Sequence, residues 1–420
     1  MSITDTAAVV DGTATPEPKS APVATAQRIE TLDILRGFAV LGILCVNAAA
    51  FAWPGMMDTS SATVPFSMEG ANRVAVWVVD VFFHNKCRTL FSMLFGVSIF
   101  LVGGERVDKA RGALLRRRLF FLAIFGLIHG LALWFGDILL LYAWSGLFMM
   151  LARSWSPRRL MWVGAVLVLA FSLLNLGGQV AGAIFQPFDN DPAKFAEAVA
   201  KGQAATLATV EVVRGSWAGA MFENLKMWAF VQGMSIAIFV FPTVGLMMLG
   251  LGLFKSGYLA GRSSSWTYGR VLILGLAITA AFAVSQWLVL DPSPATPVLL
   301  ATNTSLDELA PFVTLAWVGL LILMTRHGLG AITRRLAPVG RMAFTNYLTQ
   351  TLIMTTLFYM PWGPLLYGKV EPAGLWAIVG AIWLLQLIWS PLWLSRFEMG
   401  PLEWLWRCLT YGRWVSLLKA

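Results

Sequence analysis

Two ionisable residues interrupt an otherwise apolar stretch, GLIHGLALWFGDILLLYAWSG, at residues 126–146. Histidine titrates near neutrality, so His129 suits proton transfer to or from a reacting group, and a carboxylate such as Asp137 could orient its ring and stabilise its cation. Along one straight helix eight residues span about 12 Å, too far for a hydrogen bond. The turn FGD must therefore fold back, or the two groups must contact different parts of a substrate. The plainer readings are a hydrogen-bonded core histidine and an Asp137 that caps a helix starting at Ile138. Trp134 and Tyr142, in the same hairpin, are counted with the site.

Four further places carry expensive polar groups. In RIETLDILRGFAVLGILCVN (28–47), Asp33 and Arg36 stand at i,i+3 and can pair on one face, Gly37 admits a close backbone, and Asn47 lies deeper along the helix. In HNKCRTLFSMLFG (84–96), Lys86 and Arg88 fall on the side where cations are disfavoured, and Ser92 shares a face with Arg88. An anion such as phosphate or carboxylate would explain them, as would snorkelling to lipid headgroups. In GRMAFTNYLTQTL (340–352), Asn346 and Gln350 form a polar stripe that serves a substrate or interhelical hydrogen bonds equally well. RFEMGPLEWLWRCLTYG (396–412) reads as a Trp-rich amphipathic anchor at the inner interface.

The elements that must hold these residues are membrane helices. Apolar residues make up 58% of the 420-residue chain and charged residues 13%, against about 45–50% and 25% in soluble proteins. A crossing needs about 20 apolar residues. Ten stretches approach this: 34–53, 89–103, 118–135, 138–152, 160–182, 227–254, 270–290, 311–325, 342–360 and 373–394. With both termini cytoplasmic, 23 of the 31 Lys and Arg residues fall in segments expected inside, as the positive-inside rule requires. The net charge of +9 is then mostly topology, and no nucleic-acid partner is implied. A crossing at 72–85 would place the basic ERVDKARGALLRRR outside, so that segment is expected as an interfacial or re-entrant helix on the outer side.

The expected architecture is an all-α polytopic membrane bundle of about ten transmembrane helices plus interfacial helices. Residues 1–28 form a disordered cytoplasmic tail with no signal-peptide core, 29–395 the transmembrane domain, and 396–420 an amphipathic cytoplasmic-side tail. The outer loop 183–226 turns at PFDNDP and continues as a helix starting near Asp191 and Pro192, a size that suits a lid or acceptor platform. Cys45, Cys87 and Cys408 show no pairing or metal spacing, and no metal is expected. Walker, dinucleotide, zinc-protease and nucleophile-elbow motifs are absent.

Taken in order, RIETLDILRGFAVLGILCVN, KCRTLFSMLFG, GLIHGLALWFGDILLLYA, GRMAFTNYLTQT and GPLEWLWRCLTYG resemble the YeiB family of bacterial inner-membrane proteins, from residue 28 to 412. That family is similar in turn to heparan-alpha-glucosaminide N-acetyltransferase and other transmembrane acyltransferases. The resemblance implies an acyl (acetyl-like) transfer from cytosolic acyl-CoA to an acceptor hydroxyl or amine on the outer side. His129 would be catalytic and Asp137 its orienting or acceptor-contacting acid. Asp33 and Arg36 would belong to the inner mouth, Lys86 and Arg88 to the polar wall. Acyl-CoA rests on the resemblance alone. The acceptor, whether glycan, lipid or small molecule, is open, as are membrane lipid and a homodimer as partners. The alternative reading is a transporter or flippase for an anionic or amphipathic solute. Against it, the chain shows no pair of matching halves. A non-enzymatic scaffold would leave His129 and Asp137 without a task.

Overall fold

Apolar runs interrupted by Gly, Pro and basic turns fold as helices throughout the computed structural model, which describes residues 29–54, 64–185, 192–291 and 295–419. In chain order these are α1 (Glu30–Ala52), α2 (Gly70–Phe82), α3 (Lys86–Gly103), α4 (Lys109–Ala132), α5 (Leu139–Ala152), α6 (Pro157–Phe185), α7 (Pro192–Gly215), α8 (Trp217–Met234) and α9 (Val240–Lys255). They continue as α10 (Ser265–Val289), α11 (Pro297–Asp307), α12 (Ala310–Arg326), α13 (Gly330–Thr333), α14 (Leu336–Arg341), α15 (Ala343–Phe358), α16 (Pro372–Arg396) and α17 (Pro401–Tyr411). A π-helical turn, Ser235–Phe239, joins α8 to α9. The tail 1–28 and Asp191 lie outside the described residues; α7 begins at Pro192, where the sequence places a helix start.

The chain is a multi-pass membrane protein. Each of the ten expected stretches is helical, but six helical lengths are long and apolar enough to cross on their own, and seven if the bent pair α11–α12 counts as one. The difference lies in three elements. α4 carries Arg116, Arg117 and Arg118 in its first half, while α5 and α15 have 14 and 16 residues. Such short helices are tolerable where neighbours cover them, and Leu140, Tyr142, Met149, Asn346 and Met354 are buried.

The segment 72–85, expected as an interfacial or re-entrant helix on the outer side, is most of α2 and the turn that leads into α3. α2 and α3 together form one apolar length of 34 residues, broken at Asn85, whose φ is 57°. At 1.5 Å per residue this is about 51 Å, longer than the roughly 30 Å hydrocarbon core.

The basic segments converge at one end of the bundle. Arg106 N donates to Ser154 Oγ (2.7 Å), Lys255 Nζ to Arg153 O (3.0 Å), Arg326 Nη2 to Ser263 O (2.9 Å), and Arg341 Nη2 to Glu398 O (3.0 Å). Contacts at the opposite end join Trp53 Nε1 to Val370 O (2.7 Å), Asn72 to Glu371 (2.7 Å) and Tyr359 Oη to Leu133 O (2.7 Å). The core between them is built on α1, α3, α5 and α9, which supply Leu35, Leu90, Met93, Val97, Tyr142, Met247 and Leu251. Residues that face outward are apolar too, including Trp162, Leu169, Leu173 and Leu174 on α6 and Ile273 on α10. That pattern matches a surrounding lipid phase.

The amphipathic α17 does more than anchor. Glu403 Oε1 accepts from Phe344 N (2.7 Å) and Thr345 N (3.1 Å), and Glu403 Oε2 accepts from Thr345 Oγ1 (2.5 Å). Met342, the residue before α15, supplies no side-chain cap, so Glu403 caps α15 from another helix. Burial pushes the Glu403 carboxyl up, and these hydrogen bonds oppose the shift. Glu403→Ala is expected to cost about 1–2 kcal/mol, the scale of a lost helix cap, read as a lower midpoint in thermal unfolding of the detergent-solubilised protein.

Candidate functional site

The FGD turn folds back. His129 Nδ1 lies 3.0 Å from Asp137 Oδ1, and Asp137 also accepts from Leu139 N (Oδ1, 3.1 Å) and Leu140 N (Oδ2, 2.8 Å). Asp137 therefore caps α5 and holds the histidine at once. Glycine makes the approach feasible: a Cβ on Gly126 would stand 2.6 Å from Leu140 N and 2.9 Å from Asp137 Oδ2. On the other ring nitrogen, His129 Nε2 lies 3.0 Å from Thr351 Oγ1 of α15. The carboxylate at Nδ1 assigns the proton there and leaves Nε2 free to accept from a hydroxyl. His129 is 1% exposed and Asp137 4%.

One tyrosine connects this pair to a cavity. The ring of Tyr347 lies 5.4 Å from that of His129, centroid to centroid, and its hydroxyl donates to Gly136 O (3.4 Å). Tyr347 also lines a cavity of about 350 Å³, together with Tyr142 and with Ile138 and Leu139, which follow Asp137. The bore below is apolar, walled by Ile43, Phe91, Leu94, Phe95, Leu119 and Leu122. Its far end lies among the basic segments and is lined by Arg36, Arg118, Arg341 and Arg407, with Asp33 and Glu403. Arg36 pairs with Asp33 (2.9 Å) and donates to Ser98 Oγ (3.1 Å), and Arg118 stacks 3.8 Å above the Trp406 ring. Glu403 is already engaged by α15, so the mouth is cationic overall.

The mouth depends on a close crossing of α1 and α14. A Cβ on Gly37 would overlap Leu336 O, and one on Gly340 would overlap Asp33 O. Both backbones are fixed by packing, so Gly340→Ala is expected to force them apart. The cost should be about 1–3 kcal/mol, the scale of core overpacking, visible as a lowered unfolding midpoint together with weaker binding of anionic amphiphiles at the mouth.

The remaining sequence candidates divide. Ser92 Oγ and Tyr142 Oη are 2.9 Å apart at the inner end of the cavity, and Ser92 also donates to Arg88 O (2.8 Å). Arg88 donates to Asn85 Oδ1 (3.0 Å). Lys86 Nζ lies 3.1 Å from Asp307 Oδ1, 2.9 Å from Asp80 O and 4.3 Å from the Phe282 ring centre, so it finds its anion within the chain. Trp134 is buried, stacks on Phe51 at 4.0 Å and meets His129 edge-on at 6.4 Å. Asn47 is half-buried beyond the cavity. Asn346 and Gln350 turn away from it. Asn346 donates to Val339 O and Ser390 Oγ (3.1 Å each), and Gln350 to Gln386 Oε1 (2.9 Å) and Val40 O (3.2 Å), which ties α15 to α14, α16 and α1.

The chain has known relatives. The chain is 31% identical to "Uncharacterized protein YxaH" of Bacillus subtilis (strain 168), over 95% of this chain and 98% of that protein. It is also 31% identical to "Uncharacterized protein YeiB" of Escherichia coli (strain K12), over 91% and 96%. The chain belongs to the DUF418 family. The family, described as "Protein of unknown function (DUF418)", matches residues 253–413. That range supplies Arg341, Tyr347, Thr351, Glu403 and Arg407, while His129 and Asp137 come from the half before it. No solved structure matches the chain.

Thr351, Tyr347, Arg118, Arg341, Glu403 and Arg407 are the site residues that sequence reading passed over. Tyr347 and Thr351 stand at i,i+4 in the same TNYLTQT run as Asn346 and Gln350, one residue round the helix. The arginines were legible only as topology signals.

Proposed function

We propose that this member of the DUF418 family is an inner-membrane acyltransferase with both termini cytoplasmic. The observation that carries the reading is one cavity that runs from an arginine-lined mouth to the tyrosine packed on a buried His–Asp pair. A phosphorylated acyl thioester such as acyl-CoA matches that shape, with anionic groups at the arginines and the acyl chain in the apolar bore. His129 Nε2 removes the proton from an acceptor hydroxyl or amine, and the acceptor oxygen or nitrogen forms its bond to the thioester carbonyl carbon. The C–S bond breaks, and the leaving thiolate takes the proton back from His129. Asp137 keeps the proton on Nδ1 throughout and stabilises the imidazolium. Tyr347 stands between the ring and the cavity, so its side chain must swing aside for the acyl carbon to reach Nε2.

The test uses the full chain in liposomes, with radiolabelled acetyl-CoA supplied on the side of the arginine mouth and a panel of hydroxyl and amine acceptors on the other. Thiol release and labelled product are expected for wild type. His129→Ala is expected to abolish both while the unfolding midpoint stays near wild type. Full activity in His129→Ala would remove the role. Passage of an intact amphiphile with no thiol release would support a transporter instead.

A further inference from the structure

Behind His129, α8 carries three hydrogen-bonding side chains at i, i+4 and i+8: Asn224, Trp228 and Gln232. This spacing sets them in one stripe. The stripe is fastened beside the histidine, because Asn224 Nδ2 donates to Gly130 O (2.9 Å) and a Cβ on Gly130 would overlap Trp228 Nε1. Gly130 follows His129 directly, about 100° round α4.

The stripe is unfinished as a piece of protein core. Asn224 Oδ1, Trp228 Nε1, and both Gln232 Oε1 and Nε2 are buried without hydrogen-bond partners, as is Ser145 Oγ on neighbouring α5. Asn224 and Gln232 are each 6% exposed. Buried polar atoms are nearly always paired, and leaving them unpaired is unfavourable. Leucine at position 232 would avoid that penalty. The π turn Ser235–Phe239 follows at once, a feature that recurs at functional sites in helices.

The chemistry of the stripe selects its ligand. It offers two N–H donors and two carbonyl acceptors and no charge, since Glu223 and Lys226 pair with each other along α8. A hydroxyl group both donates and accepts, so a polyol or sugar satisfies all four atoms, whereas a phosphate satisfies the donors alone. We propose that the seam between α4 and α8 binds a neutral, hydroxyl-rich molecule, a sugar or polyol headgroup, and presents it to His129 as the acceptor. Only the word acceptor rests on the transfer reading; the binding site stands without it.

The test uses the full chain in lipid nanodiscs, with octyl β-glucoside below its micelle-forming concentration as probe and octyl phosphate as the anionic match. A saturable rise in unfolding midpoint is expected with the glucoside, and its apparent affinity should weaken at least tenfold in Gln232→Leu and in Trp228→Phe. Without probe, Gln232→Leu should unfold at or above the wild-type midpoint, because it removes a buried amide that has no partner. A glucoside affinity unchanged in both variants would overturn the site. So would a lowered probe-free midpoint in Gln232→Leu, or octyl phosphate stabilisation that disappears in that variant. Glucoside binding by a wild-type chain that transfers no acyl group sinks the transferase and leaves the seam, whereas transfer that persists in variants unable to bind the glucoside does the reverse.

Discussion

Asp137→Asn is expected to slow acyl transfer by about 10⁴-fold, the loss seen when the carboxylate behind a catalytic histidine becomes an amide. The structure explains why this substitution is the informative one. Asp137 bonds His129 Nδ1 through Oδ1 and caps α5 through Leu139 N and Leu140 N. Alanine would remove both functions, and lost activity could then reflect an unravelled first turn of α5. Asparagine keeps a carbonyl oxygen for the cap, so the stability loss should stay below about 1 kcal/mol. If that oxygen serves the cap, the amide N–H₂ faces Nδ1, which must then accept. The proton moves to Nε2, and the atom that should act as base becomes a donor towards Thr351. Single-turnover transfer and the unfolding midpoint, measured on the same preparation, separate the two functions. A rate within tenfold of wild type at an unchanged midpoint would show that Asp137 is a cap and nothing more.

Much of this site is legible in the sequence because the membrane makes polar residues conspicuous. His129 and Asp137 stand out from GLIHGLALWFGD on cost alone. Their contact was not legible, since it depends on a turn whose path is set by Gly126, which lets the Leu140 backbone approach. The cavity mouth was hidden for a different reason. Arg118, Arg341 and Arg407 come from segments distant in the chain, and each is accounted for by the positive-inside rule before any ligand is considered. Asn346 and Gln350 mislead in the opposite sense. They are as polar as any site residue, yet their hydrogen bonds to Ser390 and Gln386 use them as interhelical ties. Tyr347 and Thr351, less conspicuous on any polarity scale, face the histidine. Periodicity identifies the stripe, and only packing decides which side of it faces the site. The break at Asn85 shows the same limit in the fold: apolarity reveals both α2 and α3, but a single positive φ and the contacts around it determine that they run on as one length.

Those contacts make Lys86 the position with the largest expected effect on stability. Its side chain is 2% exposed, and its ammonium meets Asp307 Oδ1, Asp80 O and the Phe282 ring. Asp307 in turn accepts from Asn85 Nδ2, and Thr314 Oγ1 donates to Lys86 O (3.1 Å), so the cluster pins the α2–α3 corner to α11 and α12. Lys86→Met is expected to cost about 3–5 kcal/mol, because removing one member of a buried pair strands the other charge. Pairing Lys86→Met with Asp307→Asn should recover part of that loss, since Asp307 is no longer stranded while the buried Asp80 carboxylate, which Lys86 also faces, still is. Thermal unfolding of the two single variants and the double variant completes the cycle, and a coupling of several kcal/mol is expected. A cation kept for an external anion behaves otherwise. Lys86→Met would then be mild or stabilising without ligand, Asp307→Asn would give no recovery, and the coupling would vanish. The 3.1 Å ion pair to a carboxylate of the same chain favours the first outcome. It leaves the proposed anion recognition to the arginines at the other end of the bundle.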